Sequence, residues 1–212
     1  MVPISFILAF ALAKTCRRNT VYKAVLFLPY VIPGSISGLI WFFMLEPSAG
    51  LINTTLRTIG LDFLCQEWFG TAKWTPISIG TIAAWGGVGY FMLLWQLGIK
   101  NIPDDVLEAS LIDGCNKRQQ ILYVVLPLIK GTLTNIMIFV LTGALQAYET
   151  VYILTGGGPN QTTESIISYM YNTTFNKQHY GYGMTVGVME FLMAMLIALV
   201  SLYIGNRKKV DL

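Results

Sequence analysis

Residues 183–205 read GMTVGVMEFLMAMLIALVSLYIG, an apolar run with no lysine or arginine and a single carboxylate, Glu190. A helix rises about 1.5 Å per residue and the hydrocarbon core of a bilayer is about 30 Å thick, so a run of this length reaches across it. Working back along the chain, three more such runs precede it. They are 131–153 (GTLTNIMIFVLTGALQAYETVYI), 76–99 (PISIGTIAAWGGVGYFMLLWQLGI) and 24–45 (AVLFLPYVIPGSISGLIWFFML), and none holds a lysine or arginine. Pro29, Pro33 and the glycines would break helices in water, but neighbouring helices re-satisfy the backbone in a membrane bundle. Gly34 with Gly38, and Gly183 with Gly187, put small residues four apart, a spacing that allows close helix contact. The expected fold is all-α, a polytopic transmembrane helical bundle in one domain over residues 1–212.

Composition agrees. Hydrophobic residues make up 54% of the chain and charged residues 12%, about half the charged share of a soluble domain. The mean hydropathy is +0.59. The aromatic content suits belts at the bilayer surface, and Trp85 and Trp95 read as packing or belt residues. A net charge of +3, scattered along the chain, excludes nucleic acid as a partner. Cys16, Cys65 and Cys115 have no metal-ligand spacing, and His179 stands alone, so no metal site, cofactor or catalytic group is expected.

Residues 2–13 (VPISFILAFALA) are apolar, but as a helix they rise only about 18 Å. Positive charges follow this run rather than precede it, the reverse of a signal peptide. It reads as the end of a span whose beginning is missing, or else as a short tilted segment. Lys14, Arg17, Arg18 and Lys23 lie before the first full run, and Arg207, Lys208 and Lys209 follow the last. The positive-inside rule places both clusters, and the C-terminus with them, in the cytoplasm. Four intervening spans satisfy that parity. The mildly acidic stretch 46–75 then lies outside, 100–130 inside and 154–182 outside.

The inside loop, KNIPDDVLEASLIDGCNKRQQILYVVLPLIK (100–130), is long for a plain connection. Pro103 suits the start of a helix, and Asp104 and Asp105 its positive end. Leu107, Leu111 and Cys115 recur four apart as one apolar side, Gly114 supplies a stop, and Pro127 limits a second helical stretch. Such a short helix lies either on lipid or against a cytoplasmic partner.

Glu108-Ala109-Ser110, Asp113-Gly114 and Leu126-Pro127 resemble the EAA loop of ABC importer permeases, whose pattern is Glu-Ala-Ala, Asp-Gly-Ala and a closing Leu-Pro. Ser110 and Cys115 stand where the family usually has alanine. Leu28-Pro29, Pro33, Trp41, the segment LTGGGPNQTTES (154–165) and Tyr180-Gly181-Tyr182-Gly183 are similar to the carbohydrate-uptake branch. The resemblance implies the type I permease fold and a chain lacking its first span and part of the second. It implies a bacterial or archaeal plasma membrane location. It also implies three kinds of partner: a second related permease, two copies of an ATP-binding subunit and an extracytoplasmic solute-binding protein. Glu108, Ala109, Ser110, Asp113 and Gly114 would be the ATPase-coupling residues. The run Gly156-Gly157-Gly158-Pro159 is no phosphate loop, since no GKS or GKT follows, and ATP hydrolysis falls to the partner.

Polar residues within apolar runs are costly and mark either a solute path or a structural hydrogen bond. Glu190 is one. Gln146, Tyr148, Glu149 and Tyr152 form another group, because sugars are held by aromatic faces and convergent hydrogen-bonding groups. The expected function is ATP-driven import of a sugar or related polar solute by alternating access. A secondary transporter fragment, supported by Glu190 and the glycines, and a structural membrane subunit without a path of its own remain the alternatives.

Overall fold

The computed structural model describes residues 1–13 and 17–206. Lys14, Cys16, Arg207, Lys208 and Lys209 lie outside the described residues. Among the described residues the chain is helical and has no strand. The helices are α1 (Val2–Ala11), α2 (Arg17–Val31), α3 (Gly34–Met44), α4 (Leu51–Thr58), α5 (Trp74–Lys100), α6 (Asp104–Ile112), α7 (Lys117–Leu128), α8 (Lys130–Leu145), α9 (Glu149–Thr155), α10 (Ile166–Tyr171) and α11 (Tyr180–Asn206).

Two helices, α5 and α11, are each long and apolar enough to cross a membrane unbroken. The pairs α2/α3 and α7/α8 reach that length only if each is counted as one broken span, giving up to four. The break at Ile32–Pro33 follows from proline chemistry. Pro33 offers no N–H and disfavours helical geometry at the residue before it. The α7/α8 pair bends by 71°. Before that bend, Gln120–Val125 winds as a π-helix that runs directly into Pro127. In an α-helix the Pro127 ring would collide with the carbonyl four residues earlier, and the wider i→i+5 winding relieves that collision.

The run 131–153, expected as one span, is instead divided between α8 and α9 with a break at 146–148. No proline or glycine marks this break. It falls where Gln146, Tyr148 and Glu149 replace apolar residues. Of α11, only 6% of its apolar window is buried, and Val188, Leu192, Leu196, Leu199 and Tyr203 face outward. This is the surface expected against acyl chains.

The chain divides into two compact units. The first comprises Met1–Leu28, Val88–Thr142 and the chain from Ala194 on. Its core includes Met92, Trp95, Val125, Ile129 and Ile136. Here α1 packs on the second half of α5. Trp95 donates from Nε1 to Ser5 Oγ at 3.2 Å, and the Phe6 ring stands edge-on to it at 5.0 Å. Trp95 is thus a packing residue. Gln96 donates to the carbonyls of Ala9 and Leu12, both at 3.3 Å, near the open end of α1.

The second unit comprises Pro29–Gly87 and Gly143–Met193. Both small-residue spacings seen in the sequence are used in it. Side chains built at Gly34 and Gly38 would run into Glu149 and Ile153 of α9. Those built at Gly183 and Gly187 would run into Thr174 and Met170. The first seam is parallel. The second is antiparallel, so the leg formed by α10 and the π-turn Asn172–Asn176 folds back along the start of α11. The stretch 46–75 is ordered around Asn53, which is 2% exposed. Asn53 donates to the carbonyls of Pro47 (3.1 Å) and Gln66 (3.0 Å) and accepts from Trp68 Nε1 (2.9 Å).

Candidate functional site

The loop 100–130 belongs wholly to the first unit, and α6 is its first helix. Pro103 caps the start of α6, with Asp104 and Asp105 in the first turn, where the helix dipole favours negative charge. At the other end, Gly114 adopts φ +81°. Its N–H bonds to the Leu111 carbonyl at 3.1 Å, and the Cys115 N–H reaches the Ser110 carbonyl at 3.0 Å. This pair of bonds is a Schellman ending, which needs a left-handed residue at that position. Gly114 therefore stops α6 by geometry. A side chain there would meet no neighbour, but it would have to sit in a conformation that costs about 1–2 kcal/mol.

The two sides of α6 differ. Ile102 and Ser110 are buried, and Val106 and Leu107 pack on the unit's core. Glu108, Ala109, Asp113 and Gly114 are exposed. So are Leu111, at 57%, and Ile112, at 86%. The apolar side expected from Leu107, Leu111 and Cys115 therefore does not form. The helix ends at Ile112, so Cys115 lies beyond it, and Leu111 turns outward. Of the five residues expected to couple, Glu108, Ala109, Asp113 and Gly114 are exposed and Ser110 is buried. Ser110 Oγ donates to the Leu107 carbonyl at 2.7 Å. Two groups that the loop's motifs did not single out complete the arrangement. Asn116 and Gln119 form a reciprocal capping box that starts α7. Gln120 donates from Nε2 to the Leu107 carbonyl at 3.0 Å and to Ser110 Oγ at 2.8 Å. The box was visible as Asn-x-x-Gln in the sequence. The Gln120 contact had no local signal.

The second group of candidates lies in the second unit. Tyr148 and Tyr152 stack at 5.3 Å between centroids, and Tyr171 joins them at 5.0 Å and 5.8 Å. Phe175 extends the cluster from Tyr171, also at 5.0 Å. Gln146 is exposed in the break just before this cluster. Glu149 opens α9, and its Oε2 occupies the space that a side chain at Gly34 would need. That position lies against the first turn of α3, where free N–H groups attract a carboxylate. Glu190 is 7% exposed, and its Oε1 is buried without a hydrogen-bond partner. Val186 and Met193, which share its face of α11, line a cleft of about 380 Å³ with Gln161, Glu164, Ser165, Ile166 and Tyr169. Among the described residues no group of His, Cys, Asp and Glu could hold a metal ion.

These features define a class: a polytopic helical membrane protein that presents one short, two-sided helix between spans. The chain belongs to the family of binding-protein-dependent transport system inner membrane components, whose pattern matches residues 1–208. It is similar to the probable ABC transporter permease protein YurN of Bacillus subtilis, with 32% identity over 85% of this chain and 62% of that protein. It is also similar to the diacetylchitobiose uptake system permease protein NgcF of Streptomyces coelicolor, with 33% identity over 86% of this chain and 52% of that protein. The chain thus spans between about half and two thirds of the length of these two relatives. In fold it matches a bacterial ABC transporter involved in the import of the acidic polysaccharide alginate. The TM-score is 0.85 at 22% identity, over 97% of this chain and 72% of that one. The fold is that of a type I importer permease.

Proposed function

We propose that this chain is the membrane-spanning subunit of an ATP-driven importer that moves a sugar or related polar solute by alternating access. The observation that carries the proposal is the surface of α6. A helix of nine residues is anchored on one side and pinned at its end by Gly114. Its other side offers Glu108, Ala109, Leu111 and Ile112, left exposed by the described residues. Exposed apolar residues beside a carboxylate suit a protein partner with an apolar groove and a hydrogen-bond donor. That partner is the ATP-hydrolysing subunit, present in two copies. The chain itself performs no bond chemistry. A second, related permease completes the path, and an extracytoplasmic binding protein delivers the solute. Loop 100–130 and the C-terminus lie on the cytoplasmic side.

The sugar class is supported by the uptake-system relative named above and by the aromatic cluster of Tyr148 and Tyr152, with Gln146 and Glu149 beside it. Glu190 belongs to the same set of path residues. The test is co-purification of the chain with its candidate ATPase, wild type against a Glu108→Ala, Gly114→Val double variant. Loss of the ATPase from a variant that still inserts supports docking at α6. Retention of the ATPase, with solute-stimulated hydrolysis intact, removes the assignment.

A further inference from the structure

The π-turn of α7 has a consequence for α6. Five residues of α-helix make about 1.4 turns, which would place Gln120 about 140° around the helix from Val125. Val125 is 2% exposed and belongs to the core of the first unit. The wider winding of Gln120–Val125 reduces that angle and brings Gln120 toward the inner side. From there its amide reaches α6 and makes two hydrogen bonds, to the Leu107 carbonyl (3.0 Å) and to Ser110 Oγ (2.8 Å). The Ser110 hydroxyl passes its own proton to the same Leu107 carbonyl at 2.7 Å. The amide thus donates two hydrogen bonds, and the hydroxyl accepts one and donates one.

We propose that Gln120 is a positioning residue, whose amide ties Ser110 and Leu107 of α6 to the π-turn so that the docking helix and the leg entering the membrane move as one lever. This rests on the coupling reading of α6. Besides the tie, α6 is joined to α7 by the turn at 113–116, and Val106 and Leu107 pack on the unit's core. Without the tie, a push on Glu108 and Ile112 would be partly absorbed by that turn. With it, displacement of α6 is also delivered through the π-turn that leads to Val125 and Ile129, residues of the core on which Val106 and Leu107 already pack. Gln120 does not share the exposed docking surface, so its part in transmission is separable from docking.

The test uses two variants in the assembled importer in nanodiscs. Gln120→Met keeps the length and apolar packing of the side chain and removes both donors. Ser110→Ala deletes one atom. In hydrogen–deuterium exchange, Gln120→Met should speed the α6 amides about tenfold and leave those of α5 unchanged. Solute moved per ATP hydrolysed should fall several-fold while ATPase co-purification stays at the wild-type level. The Ser110→Ala, Gln120→Met double variant should be no worse than Gln120→Met alone, because both act on one network. Unchanged exchange in α6 overturns the tie. Faster exchange with an unchanged transport-to-ATP ratio overturns the lever. Loss of ATPase binding in Gln120→Met would make it a docking defect and overturn the positioning role. The exchange readout does not depend on α6 being the docking site. If the Glu108, Gly114 variant keeps its ATPase while Gln120→Met still loosens α6, the coupling reading has failed and the tie has not.

Discussion

Gly183 and Gly187 share one spacing, yet replacing each with alanine should give different results. At Gly187 the atom in the way is Met170 Sδ, 2.9 Å from the new Cβ, and the next is at 4.0 Å. Methionine has three rotatable bonds and can swing its sulfur aside for about 0.5–1 kcal/mol. Alanine in a helix interior returns about 0.8–1.0 kcal/mol relative to glycine. The two nearly cancel, so Gly187→Ala should change stability by less than about 0.5 kcal/mol. At Gly183 the new Cβ would overlap Thr174 Oγ1 and would also lie 2.9 Å from Thr174 Cβ and 3.1 Å from its Cα. Thr174 is 1% exposed, and its hydroxyl is committed to the Met170 carbonyl at 2.7 Å. Rotating it away loses that bond, about 1 kcal/mol, and leaves Cβ and Cα where they were. Overpacking of this kind costs about 1–3 kcal/mol. Gly183 lies in the first turn of α11, where the alanine gain is only partial, so the net loss is about 1–2 kcal/mol.

The assay is equilibrium unfolding of the purified chain in nanodiscs, read by the exchange protection of residues 166–176 and 180–193. Gly183→Ala should lower protection about tenfold, and Gly187→Ala should leave it within a factor of two or three. A paired change separates seam packing from other causes. Thr174→Gly in the Gly183→Ala background removes the opposing Cβ and should recover part of the loss. Thr174→Ala removes the overlapping Oγ1 but leaves that Cβ and should recover less. Equal damage from the two glycine variants, or recovery by Thr174→Ala but not by Thr174→Gly, would refute the antiparallel seam between the 166–176 leg and α11.

Three further outcomes follow from other sites. Asn53→Ala removes the group that satisfies two carbonyls and Trp68 Nε1 at once, and should destabilise residues 46–75 by about 2–3 kcal/mol, seen as local loss of exchange protection with α5 unaffected. Glu190→Leu removes a buried carboxyl oxygen that has no partner, and should raise the unfolding midpoint of the isolated chain; a fall would mean that Glu190 is already bonded. Glu46 accepts from the Ala49 N–H, then from the Ser48 hydroxyl and N–H, which holds its carboxyl below the ordinary 4.5. A lowered folded value stabilises the turn fully above the unfolded value and loses that effect as pH falls through the folded one. Wild type should therefore protect residues 46–50 better than Glu46→Gln at pH 7, and the difference should vanish once the pH falls well below 4.5.

The long apolar runs were legible because a bilayer demands them, and a chain with 12% charged residues has few other ways to fold. Pro33 was expected to be tolerated inside the single run 24–45, and it instead separates α2 from α3. Pro103 and Gly114 bounded α6 because each acts through its own backbone geometry. The break at 146–148 carries no proline or glycine, and its one local mark is the polar set Gln146, Tyr148 and Glu149. The sides of α6 were misjudged as well. Spacing places Leu107, Leu111 and Cys115 together only if the helix runs past Gly114, and the Schellman ending stops it at Ile112. The glycine pairs were visible as spacings, but their partners, Glu149 with Ile153 and Thr174 with Met170, are set by chain reversals that spacing cannot express.

Polar residues within apolar runs were the hardest to read, and the structure sorts them by what they satisfy. Gln96 closes carbonyls near the end of α1. Gln120 ties two helices through one carbonyl and one hydroxyl. Glu149 sits against the opening turn of α3. Gln96 and Gln120 each answer a backbone carbonyl, which accounts for these two amides without invoking a solute. Glu190 differs. It is as buried as Gln96, yet its Oε1 has no partner among the described residues. A carboxyl oxygen left without a donor costs about 1–3 kcal/mol, and among the described residues Trp41 Nε1 and Thr173 Oγ1 are buried in the same unpartnered state, but neither is a carboxylate. Among the polar residues within the apolar runs, Glu190 therefore has the strongest claim to act on something other than this chain's own backbone.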